Sequence, residues 1–182
     1  MISKPLRVLT LVALLVLGAL AAIAVPAQPQ SAQTANRTDA AFAAMMLPHH
    51  EGGVELGKMA AAKGENAEIR ALGRQIVTAQ TREAKTLRSM VRRFRTKKAS
   101  MPPEVMRREQ IDMRRLEQAS GTEFDRRWLD VISAHHMGAI QMAQMEVRGG
   151  RDAAARRLAR QIAAEQRREL GRFNALTVQL GG

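Results

Sequence analysis

The sequence predicts an all-α fold: a four-helix bundle made of two duplicated helical hairpins, with a connecting helix between them. Three observations carry this prediction. Helix-forming Ala, Leu, Arg, Met, Glu and Gln dominate the 182 residues, while aromatics make up only 3 %. All four histidines fall into two adjacent pairs, His49-His50 in "MMLPHHEGG" and His135-His136 in "SAHHMGAIQM". The chain also resembles itself at an offset of 86 residues. Asp39 falls on Asp125, Phe42 on Trp128, Gly52 on Gly138, Met59 on Met145, and "RALGRQI" (70–76) on "RRLARQI" (156–162).

The N-terminus reads as an export signal over residues 1–27. Lys4 and Arg7 form a basic start, Val8 to Val25 carries no charge, and a small-residue exit ends at Ala27. An uncleaved membrane anchor through residues 8–25 is the alternative. Either way the chain is expected to leave the cytoplasm, for the periplasm or the outside. There is no cysteine, which removes thiolate chemistry and disulfides and leaves stability to helix packing.

Residues 28–37 read as a disordered linker, followed by a helical domain over 38–182. Its first repeat covers 38–95. Helix one is predicted from Thr38 to Ala62, with Thr38 or Asp39 as N-cap and Gly64 as its stop. Helix two runs from Glu65 to Arg95. The connector, 96–121, holds the break "TKKASMPPEV" and then a helical stretch, "EVMRREQIDMRRLEQAS". The second repeat, 122–180, starts at a Thr122 cap, stops at Gly149-Gly150 and resumes from Asp152 to Leu180. Segments 28–37 and 96–103 are predicted to be the mobile parts.

On helix one, Phe42, Met45/Met46, His49, Gly53, Leu56 and Met59/Ala60 follow a three-to-four spacing. Trp128, Val131/Ile132, His135, Ala139, Met142 and Met145/Glu146 do the same on its counterpart. The first histidine of each pair is therefore predicted on the apolar stripe, and the second about 100° away toward a helix edge. Pro48 is predicted to kink helix one beside its histidines. Gly52, Gly53 and Gly138 open room one turn later.

A single buried histidine is ordinarily a hydrogen-bonded core residue. Two pairs at equivalent positions, beside glycines and methionines, point to a metal instead. The candidate ligands are His49, His50, His135 and His136, with Met46, Met142, Met59 and Met145 along the same stripe. Most of the eleven methionines must serve as core. Gln80/Gln166 and Glu83/Glu169 also recur, either cross-linking the bundle or orienting the histidines. Imidazole and thioether ligands favour copper, Cu(I) or Cu(II), with zinc second. Hard ions want more oxygens than Glu51 and Glu55 supply. A di-iron bundle needs Glu-x-x-His motifs, and this chain has none.

The formal net charge of +12 attracts anions. An exported chain with hardly any aromatic residues makes a poor nucleic-acid binder, so no nucleic-acid partner is expected. The expected partners are a metal ion and, through the basic face, an anionic envelope surface or a copper-handling protein.

The doubled pattern of an acidic residue, an aromatic, "MxxHHxG" or "HHxGAIxMA", and a downstream "RQI…Q…E" resembles the domain of unknown function 305 family, over roughly residues 38–180. The resemblance implies a ferritin-like four-helix bundle and export. Some members of that family are periplasmic copper-binding proteins linked to copper tolerance, with His and Met ligands. Carried onto this chain, it implies His49, His50, His135, His136, Met46, Met142 and Met145 as ligands, and Met59 through its match to Met145. The first motif departs from the pattern, with Leu56 where the second has Met142 and "EGGVELG" in place of the usual alanine after the glycine.

Three functions follow as expectations. The first is a non-catalytic copper protein that buffers or transfers the ion. The second is a metal-dependent oxidase, which the scarcity of carboxylates and the lack of Tyr disfavour. The third is an envelope interaction module whose histidines only pack.

Overall fold

A computed structural model describes residues 34–100 and 103–181; the leader (1–27) with its apolar run, and most of the linker, lie outside the described residues. Five helices follow in order: α1 (Arg37–Lys63), α2 (Ala67–Arg93), α3 (Pro103–Gln118), α4 (Gly121–Gly149) and α5 (Ala153–Gln179). No strand occurs among the described residues. The chain is an all-helical bundle.

α1 begins earlier than the sequence suggests, and its cap is neither Thr38 nor Asp39. Asn36 is the N-cap: its side chain accepts from the backbone N–H of Thr38 (2.9 Å) and Asp39 (3.1 Å). Asp39 closes a capping box from the third helical position. The N-terminal charge of the helix favours this arrangement too. α4 likewise starts before Thr122, at Gly121, with Ser120 at the N-cap position but no capping bond from its side chain. Pro103 opens α3 at the helical position where its missing N–H costs nothing.

Asp39 and Asp125 have a further task. Asp39 accepts from the backbone N–H of Arg151 and Asp152, at the turn into α5. Asp125 accepts from those of Glu65 and Asn66, at the turn into α2 (3.0 and 2.7 Å). The first long helix of each hairpin thus satisfies orphan donors at the turn of the other hairpin. Both carboxylates are buried.

α1 packs on α2, α4 on α5, and α1 on α4, while α3 leans on α4. α1 and α4 run antiparallel: Thr38 lies against Gly149, and Leu56 accepts from the Trp128 indole at 2.9 Å. α1 and α2 approach closely at Gly57 and Gly73. A Cβ on Gly73 would stand 2.5 Å from the Gly57 carbonyl oxygen and 2.7 Å from the Ala61 nitrogen. Only glycine fits between two backbones at that distance.

The core has two apolar clusters. One gathers Phe42, Met46, Leu47, Leu87, Met90 and Ile162; the other gathers Leu56, Ile69, Leu72, Phe124, Trp128 and Phe173. The four histidines occupy α1 and α4 between them. The segment after α2, predicted to be mobile, is tied down over its described part by Ala99, which donates to the Ala44 carbonyl, and by the ion pair of Lys98 with Glu51.

Candidate metal centre

The histidine layer has two kinds of member. His50 and His136 are fully buried. The Nε2 of His50 donates to Glu83 on α2 at 2.9 Å, and that of His136 to Glu169 on α5 at 2.8 Å. His49 and His135 stack on each other across the α1–α4 crossing, ring centroids 3.8 Å apart. His135 Nε2 donates to the His49 carbonyl at 2.9 Å.

This widens the predicted register, which put His49 and His135 on the apolar stripe and their neighbours at the edge: all four rings lie inside, and His50 and His136 are the deeper. The reason lies in how many partners each helix has. α1 packs against both α2 and α4, so its buried arc is wider than one stripe. His50 turns into the arc facing α2, where Glu83 awaits it, and His49 turns toward α4. Glu83 and Glu169 therefore do both things the sequence offered, linking α2 to α1 and α5 to α4 and orienting the histidines they bond.

Three of the four imidazoles therefore hold their proton on Nε2, because an acceptor faces it. The Nδ1 of each then carries a lone pair, and in all four histidines Nδ1 is buried with no hydrogen-bond partner. A carboxylate or carbonyl behind a histidine is how metal-binding imidazoles are oriented and made more basic. Gln80 and Gln166 add two buried amides with both polar atoms unpartnered. Gln80 and His135 together fill the space that a Cβ at Gly53 would take.

Burial pushes the His49 imidazole well below its ordinary value of 6.5, and its neighbours His135, His50 and His136 push the same way. Burial likewise brings His135 down to about 3, against the opposing pull of the His49 carbonyl and with help from His136 and His50. Both rings are neutral at physiological pH, so no proton competes with a metal there.

One atom in the layer is both unpartnered and accessible. His49 Nε2 lies 3.2 Å from where a Cβ on Gly138 would stand. The missing side chain at 138 leaves that nitrogen uncovered. On the other side, Gly52 leaves 4.0 Å to His135 Nε2.

The predicted methionines are divided between the apolar clusters and the surface. Met46 is buried in the first apolar cluster and Met142 packs against it, whereas Met59 packs against the second. Met145 is 49 % exposed. Two methionines outside the predicted set, Met45 and Met137, are also exposed, 42 % and 52 %. Met45 sits one turn before His49, a spacing the sequence displays. Among the described residues no group of three or more His, Cys, Asp or Glu side chains converges as a metal cage.

Away from this layer, Glu146 is fully buried on α4. Burial raises its carboxyl to about 8, with the neighbouring Asp39 carboxylate and Asp152 adding to the rise and Arg156 opposing it. Asp39 moves the other way. Burial would raise it, but the N–H of Asn36, the Glu146 carboxyl and the N–H groups of Asp152 and Arg151 together hold it below its usual value. Glu146 is thus held protonated beside an ionised Asp39, and both of its oxygens are buried without a hydrogen-bond partner. Its oxygen lies 2.1 Å from where a Cβ on Gly150 would be, so position 150 accepts only glycine without a shift of Glu146.

The fold is thus a helical bundle with a buried layer of histidines oriented by carboxylates and a carbonyl. The sequence matches the family described as "Domain of unknown function (DUF305)" over residues 39–177, and the chain belongs to that family. It is similar in structure to a DUF305 protein from Streptomyces coelicolor described as secreted (24 % identity, TM-score 0.70, covering 80 % of this chain and 94 % of that one). A DUF305 fragment from Deinococcus radiodurans aligns with TM-score 0.73 at 22 % identity, covering 80 % and 98 %. CopM in its Cu(II)-bound form aligns with TM-score 0.68 at 25 % identity over 78 % and 96 %, and its silver-soaked form with the same score and identity over 79 % and 97 %. No curated protein matches the sequence.

Proposed function

We propose that this chain is an exported copper-binding protein that holds the ion for buffering, tolerance or transfer and performs no catalysis on it. The observation that carries the reading is the stacked His49–His135 pair, neutral by burial, with His49 Nε2 left uncovered beside Gly138. An unprotonated imidazole nitrogen at an opening is a borderline-soft ligand ready for Cu(I) or Cu(II), with zinc the second choice. The helix register supplies thioethers nearby: Met45 one turn before His49, and Met142 one turn beyond Gly138, with Met145 following on the same face. Thioethers tilt the preference toward Cu(I). The similarity to CopM, solved with copper and with silver, supports this choice, since silver takes the same soft ligands. His50 and His136, each held by a glutamate, supply the deeper Nδ1 lone pairs and fix the two helices that carry the exposed ligands.

The test is competition titration of the metal-free protein with Cu(I), Cu(II) and Zn(II), in parallel with a His49→Ala variant. Copper binding stronger than zinc binding and lost in the variant supports the reading. Copper binding unchanged in the variant, or weaker than micromolar in both, overturns it. Export is tested separately, by locating the protein after cell fractionation.

A further inference from the structure

The positive charge is distributed unevenly over the bundle. α2 carries seven basic and two acidic residues, and α5 six and two. α1 carries three of each, and α4 three basic and four acidic. α2 and α5, neither of which forms the α1–α4 crossing, thus carry most of the excess positive charge.

α2 and α5 leave a groove between them. Its widest part has a volume of about 620 Å³ and is walled by Arg82 and Thr86 from α2 and by Arg157, Gln161 and Arg168 from α5. It continues into two shallower depressions of about 460 and 360 Å³, edged by Arg74 and by Arg172. Among the described residues, Arg74, Arg82, Arg157 and Arg168 form no ion pair with any carboxylate, and Arg172 reaches across to Gln75 and Glu68. Of the acidic residues along the groove, Glu83 and Glu169 are turned onto histidines. Glu165 borders all three stretches and divides them.

We propose that this groove binds an extended phosphate polyanion that carries no bases, of the kind represented by linear polyphosphate. Arginine's planar fork matches phosphate oxygens two at a time. Arg157 and Arg172 are a helical run of about 22 Å apart, at 1.5 Å per residue. A single phosphate spans a small part of that length, and a phosphate chain spans all of it. No aromatic residue lines the groove, so bases would find nothing to stack on. A membrane surface fits less well, because the site is concave and no exposed large apolar side chain lines it to insert among lipids. The proposal stands apart from the copper reading, since no methionine or histidine of the proposed exposed copper site faces the groove.

The test is binding of fluorescently labelled linear polyphosphate to the full-length chain at several salt concentrations. One variant carries Arg82→Gln, Arg157→Gln and Arg168→Gln. A matched variant loses the same charge elsewhere, through Lys58→Gln, Arg107→Gln and Arg148→Gln, all exposed positions. The groove variant is expected to bind about tenfold or more weakly with a shallower salt dependence, and the matched variant within about twofold of the parent. Should the groove variant lose helicity by circular dichroism, Thr86→Glu, at an exposed position, takes its place with the same expected loss. Equal losses in the groove and matched variants would mean diffuse attraction and would overturn the proposal. So would orthophosphate competing as well as the chain, or phosphatidylglycerol vesicles displacing it.

Discussion

The backbone N–H of Ala99 donates to the carbonyl of Ala44 at 2.8 Å. In an unbroken α-helix that carbonyl would accept from residue 48, but residue 48 is proline and has no N–H to give. The proline frees an acceptor, and the segment after α2 uses it. Lys98 is held beside it by Glu51, one residue from His50.

Replacing Pro48 with Ala gives the Ala44 carbonyl an intrahelical donor and sets it in competition with Ala99. The expected outcome is a firmer α1 and a looser connector. Amide exchange at Ala99 should quicken by about tenfold or more, the loss of roughly one hydrogen bond's worth of protection. Unchanged exchange there would show that Lys98 and Glu51 alone hold the segment.

The His50–Glu83 and His136–Glu169 pairs are predicted to be strongly coupled. Truncating either partner leaves the other buried and unpartnered, at a cost of about 2–4 kcal/mol. Double-mutant cycles in denaturant should give coupling of about 1 kcal/mol or more for each pair, and similar values for both. Additive losses would mean that each side chain is merely packed.

Much of this was legible in the sequence. The helical class, the number of elements and the doubled histidine layer follow from composition and from the 86-residue offset. The pairing of glutamates with histidines was visible as two recurrences, though their contact was one of two readings. What the sequence could not give was which histidine of a pair faces inward. Positions 49 and 50 both fall within the arc of a helix with two partners, and a three-to-four spacing fits either. Nor could it give the fate of the methionines, since Met46 and Met145 satisfy the same spacing yet one is buried and the other half-exposed. The Asn36 cap was hidden by a chain start at which Asn36, Thr38 and Asp39 are all good caps.

Glycine substitutions should separate packing from access. Gly73→Ala is expected to cost about 1–3 kcal/mol, because the new methyl meets backbone atoms of α1 that cannot step aside. Gly138→Ala meets only the end of the His49 ring, at 3.2 Å, and should change stability by less than about 1 kcal/mol. It should nevertheless weaken copper binding by covering His49 Nε2. Urea denaturation and copper competition on the same two variants check this. A Gly138→Ala protein that binds copper as the parent does would remove His49 Nε2 from the ligand set.

The metal-free protein should be most stable near pH 6.5, because two sets of buried groups oppose each other. His49 and His135 have folded pKa values far below their ordinary 6.5. Their unfolded forms take up protons that the folded forms refuse. Their contribution is complete above pH 6.5 and is lost as the pH falls toward about 3. Glu146 acts in the other direction. Its carboxyl, raised from 4.5 to about 8, keeps its proton in the fold after the unfolded chain has released it. Its contribution is complete below pH 4.5 and is lost as the pH rises through about 8. Between these limits two imidazoles outweigh one carboxyl, so stability climbs to about 6.5 and falls beyond it. Glu146→Gln keeps the shape of the side chain and has nothing to titrate. Urea midpoints measured from pH 4 to 9 should show the alkaline decline in the parent and a plateau in that variant, with the acid decline common to both. A decline above pH 6.5 that persists in Glu146→Gln would place its origin elsewhere than the Asp39–Glu146 pair.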